Sequence, residues 1–438
     1  MREAVDKGPT ISLKFSHALR STVLHAGSRR GFPKRLLMKI AAIETIRADW
    51  HDNLLWVAVE GRDGARGLGE TFFAPSAVEA VIHDVIAPQM LGGDATRIEE
   101  WHSRLTRYPV GYGASGAEMR AASAIDIALW DLSARAAGWP LWRLMGGLCR
   151  DRVRVYNTCA GPHYVTKPRG DVKRWFGIED SEASDLDDLK AFMSEPERLA
   201  RSLVAEGVSG MKIWPFDFAA FENGGVGISA RQIDEATRIV ARIREAVGRD
   251  IDIMIELHSL WDVESAKRII RAVEPFEPAW FEDPIRMDDV DGLAELAAFT
   301  RIPILGSETT ATKESFRRLL AKNALGIVSF DCGWSGGLTE GRKIAALADA
   351  FARPITPHDC TGPIGFVAGS LLSLTCRNGY LQETVRAYTR GWYQRVVTAL
   401  PTIKNGWLSP LPGPGLGLDL APEFLADAGT HVRRSAIQ

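Results

Sequence analysis

Short apolar runs alternate with amphipathic helical patterns through most of the chain after residue 150. The runs are rich in β-branched and aromatic residues, which is typical of buried strands. Eight runs are predicted as strands: RVRVYN, SGMKIWP, IDIMIEL, PAWFED, IPILGSE, LGIVSFD, PITPHD and YLQET. Because strands separated by helices pair in parallel, this α/β pattern predicts a (β/α)8 barrel. A doubly wound open sheet is the alternative, but no glycine-rich phosphate loop follows any run.

Before residue 150 the order is different, with strands first and helices afterwards. The stretch LLWVAVEGRDGARGLGETF has β-rich runs on either side of turn residues, so it predicts a β-hairpin. Helical patterns follow around 77–90, 97–106 and 117–137. These elements predict an α+β domain at 38–150, ahead of a barrel at 151–385 that carries the active site.

The two ends of the chain lack this periodicity. Residues 1–37 are rich in Arg and Lys and contain no apolar run of signal-peptide length. They resemble a transit peptide superficially, but we interpret them as a disordered extension before the natural start of folded structure. Residues 386–438 contain the stretch SPLPGPGLGLDLAP and are predicted to return as extended chain to the N-terminal domain. An acidic insertion at 177–197 predicts a mobile loop near the barrel mouth.

Composition narrows the class of protein. Hydrophobic residues make up 46% of the chain and charged residues 25%, with no apolar run long enough to cross a bilayer. The formal net charge is -2, so we expect neither a nucleic-acid partner nor a membrane partner. The five cysteines form no CxxC pair, which favours reduced thiols and a cytoplasmic location. The pattern favours an enzyme acting on a small molecule.

Three carboxylates end consecutive predicted strands. Glu256, Glu282 and Glu308 end strands three, four and five, each 26 residues after the last. The carboxyl ends of barrel strands surround one pocket, so these side chains should converge there. Such a cluster needs a cation, and oxygen-only ligands suit Mg²⁺. The sequence therefore predicts one Mg²⁺ site per subunit.

The next three strands also end in polar residues. Asp331 ends strand six, His358 ends strand seven and Glu383 ends strand eight. An aspartate beside a histidine orients the imidazole and stabilises its charged form, as a general base requires. We therefore predict that Asp331 and His358 form a catalytic pair opposite the metal.

Together these residues resemble the enolase superfamily, in its mandelate racemase-like branch. The resemblance rests on the motifs MKIW, IELHS, WFEDP, GSET, FDCGWSGGLTE and PHDCTGP, with AIDIALWDL and PLWRLMGG in the first domain. It covers residues 38–420. It implies a capping domain over the barrel, Mg²⁺ on the three glutamates, and removal of a proton alpha to a substrate carboxylate. It also implies a homo-oligomer and a role for Lys212 at the site.

The sequence departs from that branch at two places. Many members have Lys-x-Lys on strand two, whereas this chain has Lys212, Ile213 and Trp214, so a racemase with a second lysine is disfavoured. Glu256 stands where Asp is more usual. His258 follows two residues later and should point to the same side as Glu256. An acidic ligand followed by x-His resembles the acid-sugar dehydratases, such as galactonate and mannonate dehydratases.

We therefore expect a Mg²⁺-dependent dehydratase that removes water from an aldonate or aldarate carboxylate and gives a 2-keto-3-deoxy acid. His358 would take the α-proton and His258 would protonate the leaving hydroxyl, although the two roles could be exchanged. Lys212 would add a positive charge near the substrate carboxylate, and Glu383 would hydrogen-bond the carboxylate or enolate, with a protonated acid as one candidate form. The alternatives are an epimerase, racemase or cycloisomerase on the same scaffold, or a metal-binding non-catalytic paralogue.

Substrate contacts are expected from four further residues. Trp50 and His51 lie at the turn after the first strand, and Phe72 follows the hairpin. Trp214 lies two residues after Lys212. No physical rule distinguishes one sugar acid from another at this level.

Overall fold

An antiparallel sheet and one long helix form the core of the N-terminal domain. The computed structural model describes residues 38–107, 115–167, 176–177 and 185–437. The expected disordered extension at 1–37 therefore lies outside the described residues. The first three strands are β1 (Ile40–Ala48), β2 (His51–Gly61) and β3 (Arg66–Phe72), paired in the order β1-β2-β3. The helix Ala117–Ala136 packs on this sheet.

Close packing of that helix depends on glycines in β3. A Cβ atom on Gly67 would lie 2.1 Å from the Ala128 carbonyl oxygen, and one on Gly69 would lie 1.9 Å from that of Ala124. Only glycine permits such an approach of strand and helix. The remaining helices of this domain are Pro75–Ala80, the π-helical Val81–Ile86, Ala87–Met90, Ile98–Thr106 and Leu141–Leu144.

Parallel strands alternate with helices over the second part of the chain, as the periodicity predicts. The strands are β4 (Val153–Thr158), β5 (Gly210–Ile213), β6 (Asp252–Glu256), β7 (Trp280–Glu282), β8 (Ile304–Gly306), β9 (Ile327–Val328) and β10 (Gln382–Thr384). Most of them pair in sequence order, from β4 to β9. Single parallel bridges of Ile355 to Val328 and to Gly379 continue the ring, and β10 pairs with β4. The predicted (β/α)8 barrel with an N-terminal cap is confirmed.

Helices of the barrel surround these strands. Several of these helices begin after a residue whose side chain accepts a hydrogen bond from a backbone amide of the first turn, for example Ser229 and Asp262. The long helices are Pro196–Ala205, Ala230–Val247, Val263–Val273, Val290–Phe299, Lys313–Ala321, Gly337–Ala350 and Pro363–Thr375. Shorter turns are Asp217–Asn223, Glu274–Phe276 and Cys332–Ser335. No helix of the described ranges is long and apolar enough to cross a membrane.

Part of the acidic insertion is helical, where the sequence predicts a loop. Asp188–Ser194 is helical because Asp187 accepts a hydrogen bond from the Lys190 amide at the start of the helix. Arg386 then binds the Asp188 carboxylate through two nitrogens, at 2.6 and 2.7 Å. Residues 178–184 of the insertion lie outside the described part of the chain.

After the barrel, the chain returns to the N-terminal sheet. It passes through the short helices Arg386–Thr389, Tyr393–Val396 and Pro422–Leu425, and the hairpin of β11 (Thr402–Lys404) and β12 (Trp407–Ser409). The last strand, β13 (Thr430–Ala436), pairs antiparallel with β1. The tail therefore adds a fourth strand to the capping sheet, where the sequence predicts only extended chain.

Candidate active site

The three glutamates predicted as metal ligands meet at one end of the barrel. Glu256 and Glu282 are the last residues of β6 and β7 and are direct partners in the parallel register. Glu308 lies two residues beyond β8. One oxygen of each lies within 4.8 Å of the others. The spacing of the strand ends in the sequence thus corresponds to a real cluster of carboxylates.

Lys212 crosses this cluster from β5. Its Nζ atom lies 2.8 Å from Glu282 Oε1, 2.8 Å from Glu383 Oε1 and 3.2 Å from Glu256 Oε2. Lys212 is only 3% exposed. Burial opposes its charge, but the carboxylates of Glu282 and Glu383 outweigh burial and raise the pKa of Lys212 well above its usual range. The lysine is therefore a permanent positive charge at the site.

One lysine does not balance the negative charge of the cluster. Burial and the neighbouring Glu256 raise the pKa of Glu282 well above its usual range. Glu308 Oε2 is buried and accepts no hydrogen bond from the described part of the chain. A set of carboxylate oxygens with excess negative charge and a buried oxygen lacking a donor fits a hard divalent cation such as Mg²⁺.

The predicted aspartate–histidine pair is present beside the cluster. His358 Nδ1 lies 2.8 Å from Asp331 Oδ2, and His358 Nε2 lies 3.8 Å from Glu308 Oε2. Asp331 Oδ1 accepts a hydrogen bond of 2.6 Å from the Gly333 amide, which holds the carboxylate in place. Burial lowers the pKa of His358, but the Glu308 and Glu383 carboxylates and the Asp331 bond raise it well above its usual range.

A second aspartate–histidine pair was not predicted from the sequence. His258 Nδ1 lies 2.6 Å from Asp217 Oδ2, and His258 Nε2 lies 3.3 Å from the Tyr164 hydroxyl. Burial lowers the pKa of His258, whereas Asp217 and Glu256 outweigh it and raise the pKa to about 9. The signal for Asp217 is weak, since it only opens a short helix after β5.

His258 reaches the site by a turn and not by strand alternation. β6 ends at Glu256, and His258 has a φ of 47° in the left-handed region. Glu256 Oε1 accepts hydrogen bonds from the amides of Leu257 and His258, at 3.0 and 2.8 Å. The prediction from strand alternation therefore placed the His258 side chain at the site, but a turn after β6, and not the strand itself, brings it there.

Glu383 lies behind Lys212 and not on the cavity. It is fully buried, and both of its oxygens accept from protein donors: Lys212 and Thr158 at Oε1, and the Asp359 amide at Oε2 at 2.9 Å. Burial raises its pKa, but Lys212 and His358 lower it below the usual range. This direction favours an ionised Glu383 paired with Lys212 over the protonated acid that the sequence suggests.

A cavity of about 170 Å³ brings the two histidines together with Lys212 and Glu308. Phe72 and Trp334 belong to its wall, so the capping domain and the barrel both contribute. The wall also contains the aromatic or apolar residues Phe73, Tyr164, Val165, Phe176, Phe221 and Leu260, and the polar residues Thr158, Asp217, Thr309 and Cys360. Of the four residues predicted to contact substrate, Phe72 alone lines this cavity.

The other three predicted contact residues support the wall from behind. Trp214 is fully buried and packs its ring edge-on against His258. His51 is 1% exposed, because Phe72 and Trp392 pack on its ring. Trp50 packs on Trp392. His51 and Trp214 are therefore buried behind residues of the cavity wall, Trp50 is partly buried, and none of the three lines the cavity.

Two family models match the chain. Residues 38–146 match the mandelate racemase / muconate lactonizing enzyme N-terminal domain. Residues 195–424 match the enolase C-terminal domain-like family. The first match covers β1 to β3, and the second begins after β4, so the first barrel strand lies between the two matches.

Similar proteins extend over nearly the whole chain. A D-galactonate dehydratase of Xanthomonas oryzae pv. oryzae is 31% identical over 406 residues, which covers 90% of this chain and 95% of the relative. Among solved structures, an enolase protein from Sargasso Sea environmental sequencing is 42% identical, with a TM-score of 0.81 over 91% of this chain and 99% of that one. An enolase of the mandelate racemase subgroup from Agrobacterium tumefaciens is 40% identical, with a TM-score of 0.81 and the same coverage.

Proposed function

Because the chain belongs to the mandelate racemase/muconate lactonizing enzyme family of the enolase superfamily, we propose that it is a Mg²⁺-dependent dehydratase of a sugar acid. The observation that carries the proposal is that two histidines, each bound to its own aspartate, line one cavity beside the carboxylate cluster. The similarity to D-galactonate dehydratase supports an aldonate as the first substrate to test, with aldarates as the next class.

His358 is the proposed base in its neutral form, because a cation held by the three glutamates would offset the Glu308 charge that raises the pKa of its ring. Asp331 occupies Nδ1 of its ring, which leaves Nε2 as the nitrogen available to take the α-proton from the substrate. The Asp331 carboxylate stabilises the imidazolium that results. The electron pair of the broken C–H bond forms the enolate.

His258 is the proposed acid, because Asp217 holds its Nδ1 in the same way. As the enolate collapses, the bond from the β-carbon to its hydroxyl breaks, and the His258 proton completes the departing water. The enol product tautomerises to a 2-keto-3-deoxy acid. Lys212 lines the cavity and places a positive charge close to the developing enolate, which lowers the barrier more than it tightens substrate binding.

Glu256, Glu282 and Glu308 are the proposed Mg²⁺ ligands. When bound, the ion stabilises the charge that develops on the substrate carboxylate, the chemistry shared by the superfamily. We expect calorimetry to show Mg²⁺ binding to the native chain and at least tenfold weaker binding to Glu308→Gln. The matched control is Glu314→Gln, whose carboxylate is 60% exposed and pairs with Lys313. Equal Mg²⁺ affinity in Glu308→Gln, or full turnover after chelation, would contradict the assignment.

The substrate proposal is tested by screening sugar acids with the Mg²⁺-loaded protein. We expect a 2-keto acid to form from at least one aldonate or aldarate, with D-galactonate examined first. Exchange of the α-proton with solvent deuterium and no loss of water would favour an epimerase or racemase. Absence of both reactions across the library would favour the non-catalytic alternative.

The roles of the histidines are separable by proton NMR in deuterated buffer. His358→Asn should abolish both α-proton exchange and dehydration, because no enolate forms. His258→Asn should slow the loss of water by roughly 10²–10⁴-fold while some α-proton exchange remains. Full dehydration by His258→Asn would remove this residue from the mechanism, and the reverse pattern would exchange the two roles.

A further inference from the structure

Two neighbouring residues of the capping sheet contact the loops that carry both members of the His358–Asp331 pair. Glu70 and Thr71 lie near the end of β3, just before Phe72 on the cavity wall. Both are buried, at 1% and 2% exposure. We infer that Glu70 and Thr71 are positioning residues, which hold His358 and Asp331 in their catalytic arrangement from the other domain. This inference rests on the proposed function for its kinetic test.

Glu70 supplies the N-terminal cap of a barrel helix. The helix Pro363–Thr375 begins shortly after His358, and Gly362 at its N-cap has no side chain that could accept a hydrogen bond. Glu70 Oε1 accepts from the Gly365 amide at 2.9 Å, and Oε2 accepts from the Ile364 amide at 3.3 Å. The first turn of this helix is therefore anchored to the capping domain.

Two glycines leave space for the Glu70 side chain at the start of this helix. A Cβ atom at Gly362 would lie 2.4 Å from the Glu70 carboxyl group, and one at Gly365 would lie 3.1 Å from Glu70 Oε1. Any larger side chain at Gly362 would push the carboxylate away. The segment that links His358 to the helix thus packs directly against Glu70.

Thr71 holds the other member of the pair. Its hydroxyl donates to the Gly333 carbonyl oxygen at 2.7 Å. The Gly333 amide donates to Asp331 Oδ1 at 2.6 Å, and Asp331 Oδ2 binds His358. Strand β3 of the cap therefore holds Asp331 through Thr71. Through Glu70 it holds the segment that links His358 to the helix Pro363–Thr375.

Positioning of this kind affects the rate more than the binding of substrate. A displacement of about 1 Å in a catalytic group can cost roughly 10²-fold in rate. We expect Glu70→Gln to lower kcat by about 10- to 100-fold with KM changed by less than about threefold. The isotope effect on kcat with α-deuterated substrate should rise, because proton abstraction becomes the slow step.

The control is another buried carboxylate of the cap that accepts two amide hydrogen bonds. Asp131 accepts from Leu68 at 2.8 Å and Leu416 at 2.6 Å and also binds Arg135. Asp131→Asn should lower the melting temperature but leave kcat within about threefold of the native value. Thr71→Val is a second and milder test, since it removes one hydroxyl with little change in volume.

The experiment combines kinetics with hydrogen–deuterium exchange of the Mg²⁺-loaded full chain. The kinetic probe is D-galactonate or the sugar acid that replaces it in the screen. In Glu70→Gln the amides of Ile364 and Gly365 should exchange faster, whereas Asp131→Asn should leave them unchanged. This exchange arm does not need turnover, so it separates failure of the positioning role from failure of the proposed function.

Three outcomes would overturn the inference: native kcat and native exchange in Glu70→Gln, an equal loss of kcat in Asp131→Asn, or a rise in KM alone. If Glu70→Gln does not fold, Thr71→Val is decisive. A lower kcat at constant KM in that variant supports the inference, and a native kcat refutes it.

Discussion

Asp217 is the hydrogen-bond partner of His258, as Asp331 is of His358. It is fully buried, and its Oδ2 lies 2.6 Å from the ring nitrogen. This carboxylate stabilises the charged imidazole, which is the form that an acid needs.

We predict that Asp217→Asn slows dehydration about 10²-fold, because the amide keeps the shape but loses the charge that stabilises imidazolium. Exchange of the α-proton should continue, since His358 is intact. Proton NMR in deuterated buffer measures both rates. Asp331→Asn is the matched comparison and should lose both reactions, and loss of α-exchange in Asp217→Asn would contradict the assignment.

His51 makes the stability of the fold depend on pH. Burial among aromatic rings lowers its pKa to about 3, and neither ring nitrogen has a hydrogen-bond partner in the described part of the chain. The unfolded chain binds a proton near pH 6.5, but the folded chain excludes it until about pH 3. Stability is therefore lost as the pH falls below about 6.5.

We predict that His51→Phe reduces this acid sensitivity. Between pH 6.5 and 4, the native chain should lose up to about 1.4 kcal/mol per pH unit through this group. Denaturant unfolding at pH 5 and pH 7.5 measures the difference, and the variant should show the smaller change. An identical difference in both proteins would show that His51 does not titrate on unfolding.

At the scale of elements, β13 links the end of the chain to its first strand. It pairs with β1 from Ala42↔Ala436 to Ala48↔Thr430. Arg434 also binds Glu44 and Glu60, and His83 Nδ1 lies 2.8 Å from Ser435 Oγ. Without β13, the backbone groups of β1 would form an open sheet edge.

We predict that deletion of 430–438 lowers the melting temperature and speeds amide exchange in β1, while kcat changes by less than about threefold. The control is Arg434→Gln, which removes half-exposed ion pairs worth about 0–1 kcal/mol and keeps the strand. Thermal unfolding and amide exchange measure both variants. Unchanged exchange in β1 after the deletion would show that the strand pairing adds no stability.

At the scale of the whole molecule, the cap and the barrel pack together and both line the cavity. The described residues between 38 and 437 form one compact unit, and the cavity wall contains Phe72 from the cap and Trp334 from the barrel. The Glu70 and Thr71 contacts also join the cap to the barrel beside this cavity.

We predict that the protein is a homo-oligomer, as the family resemblance implies. Sedimentation velocity over a tenfold range of concentration should show a species larger than the 48.1 kDa monomer. The active-site variants serve as controls, since their substitutions are internal and should leave the assembly unchanged. A monomer at every concentration would contradict this prediction.

Local patterns predicted the architecture well. The alternation of strands and helices gave the barrel, because buried strands and amphipathic helices leave periodic apolar positions in the sequence. The glutamates at one-unit spacing converge at one end of the barrel because parallel barrel strands bring their carboxyl ends together. His358 and Asp331 paired for the same reason.

Contacts between distant elements left no such pattern. Asp217 lies 41 residues from His258, and Glu70 lies 294 residues from Ile364. Trp214 and His51 looked like contact residues but are buried one layer behind the cavity. Strand β13, which pairs with β1 in the capping sheet, also lies at the opposite end of the sequence. Periodicity therefore specified the elements and the strand ends that carry the chemistry, whereas the packing of cap against barrel determined which side chains reach the cavity and which hold them there.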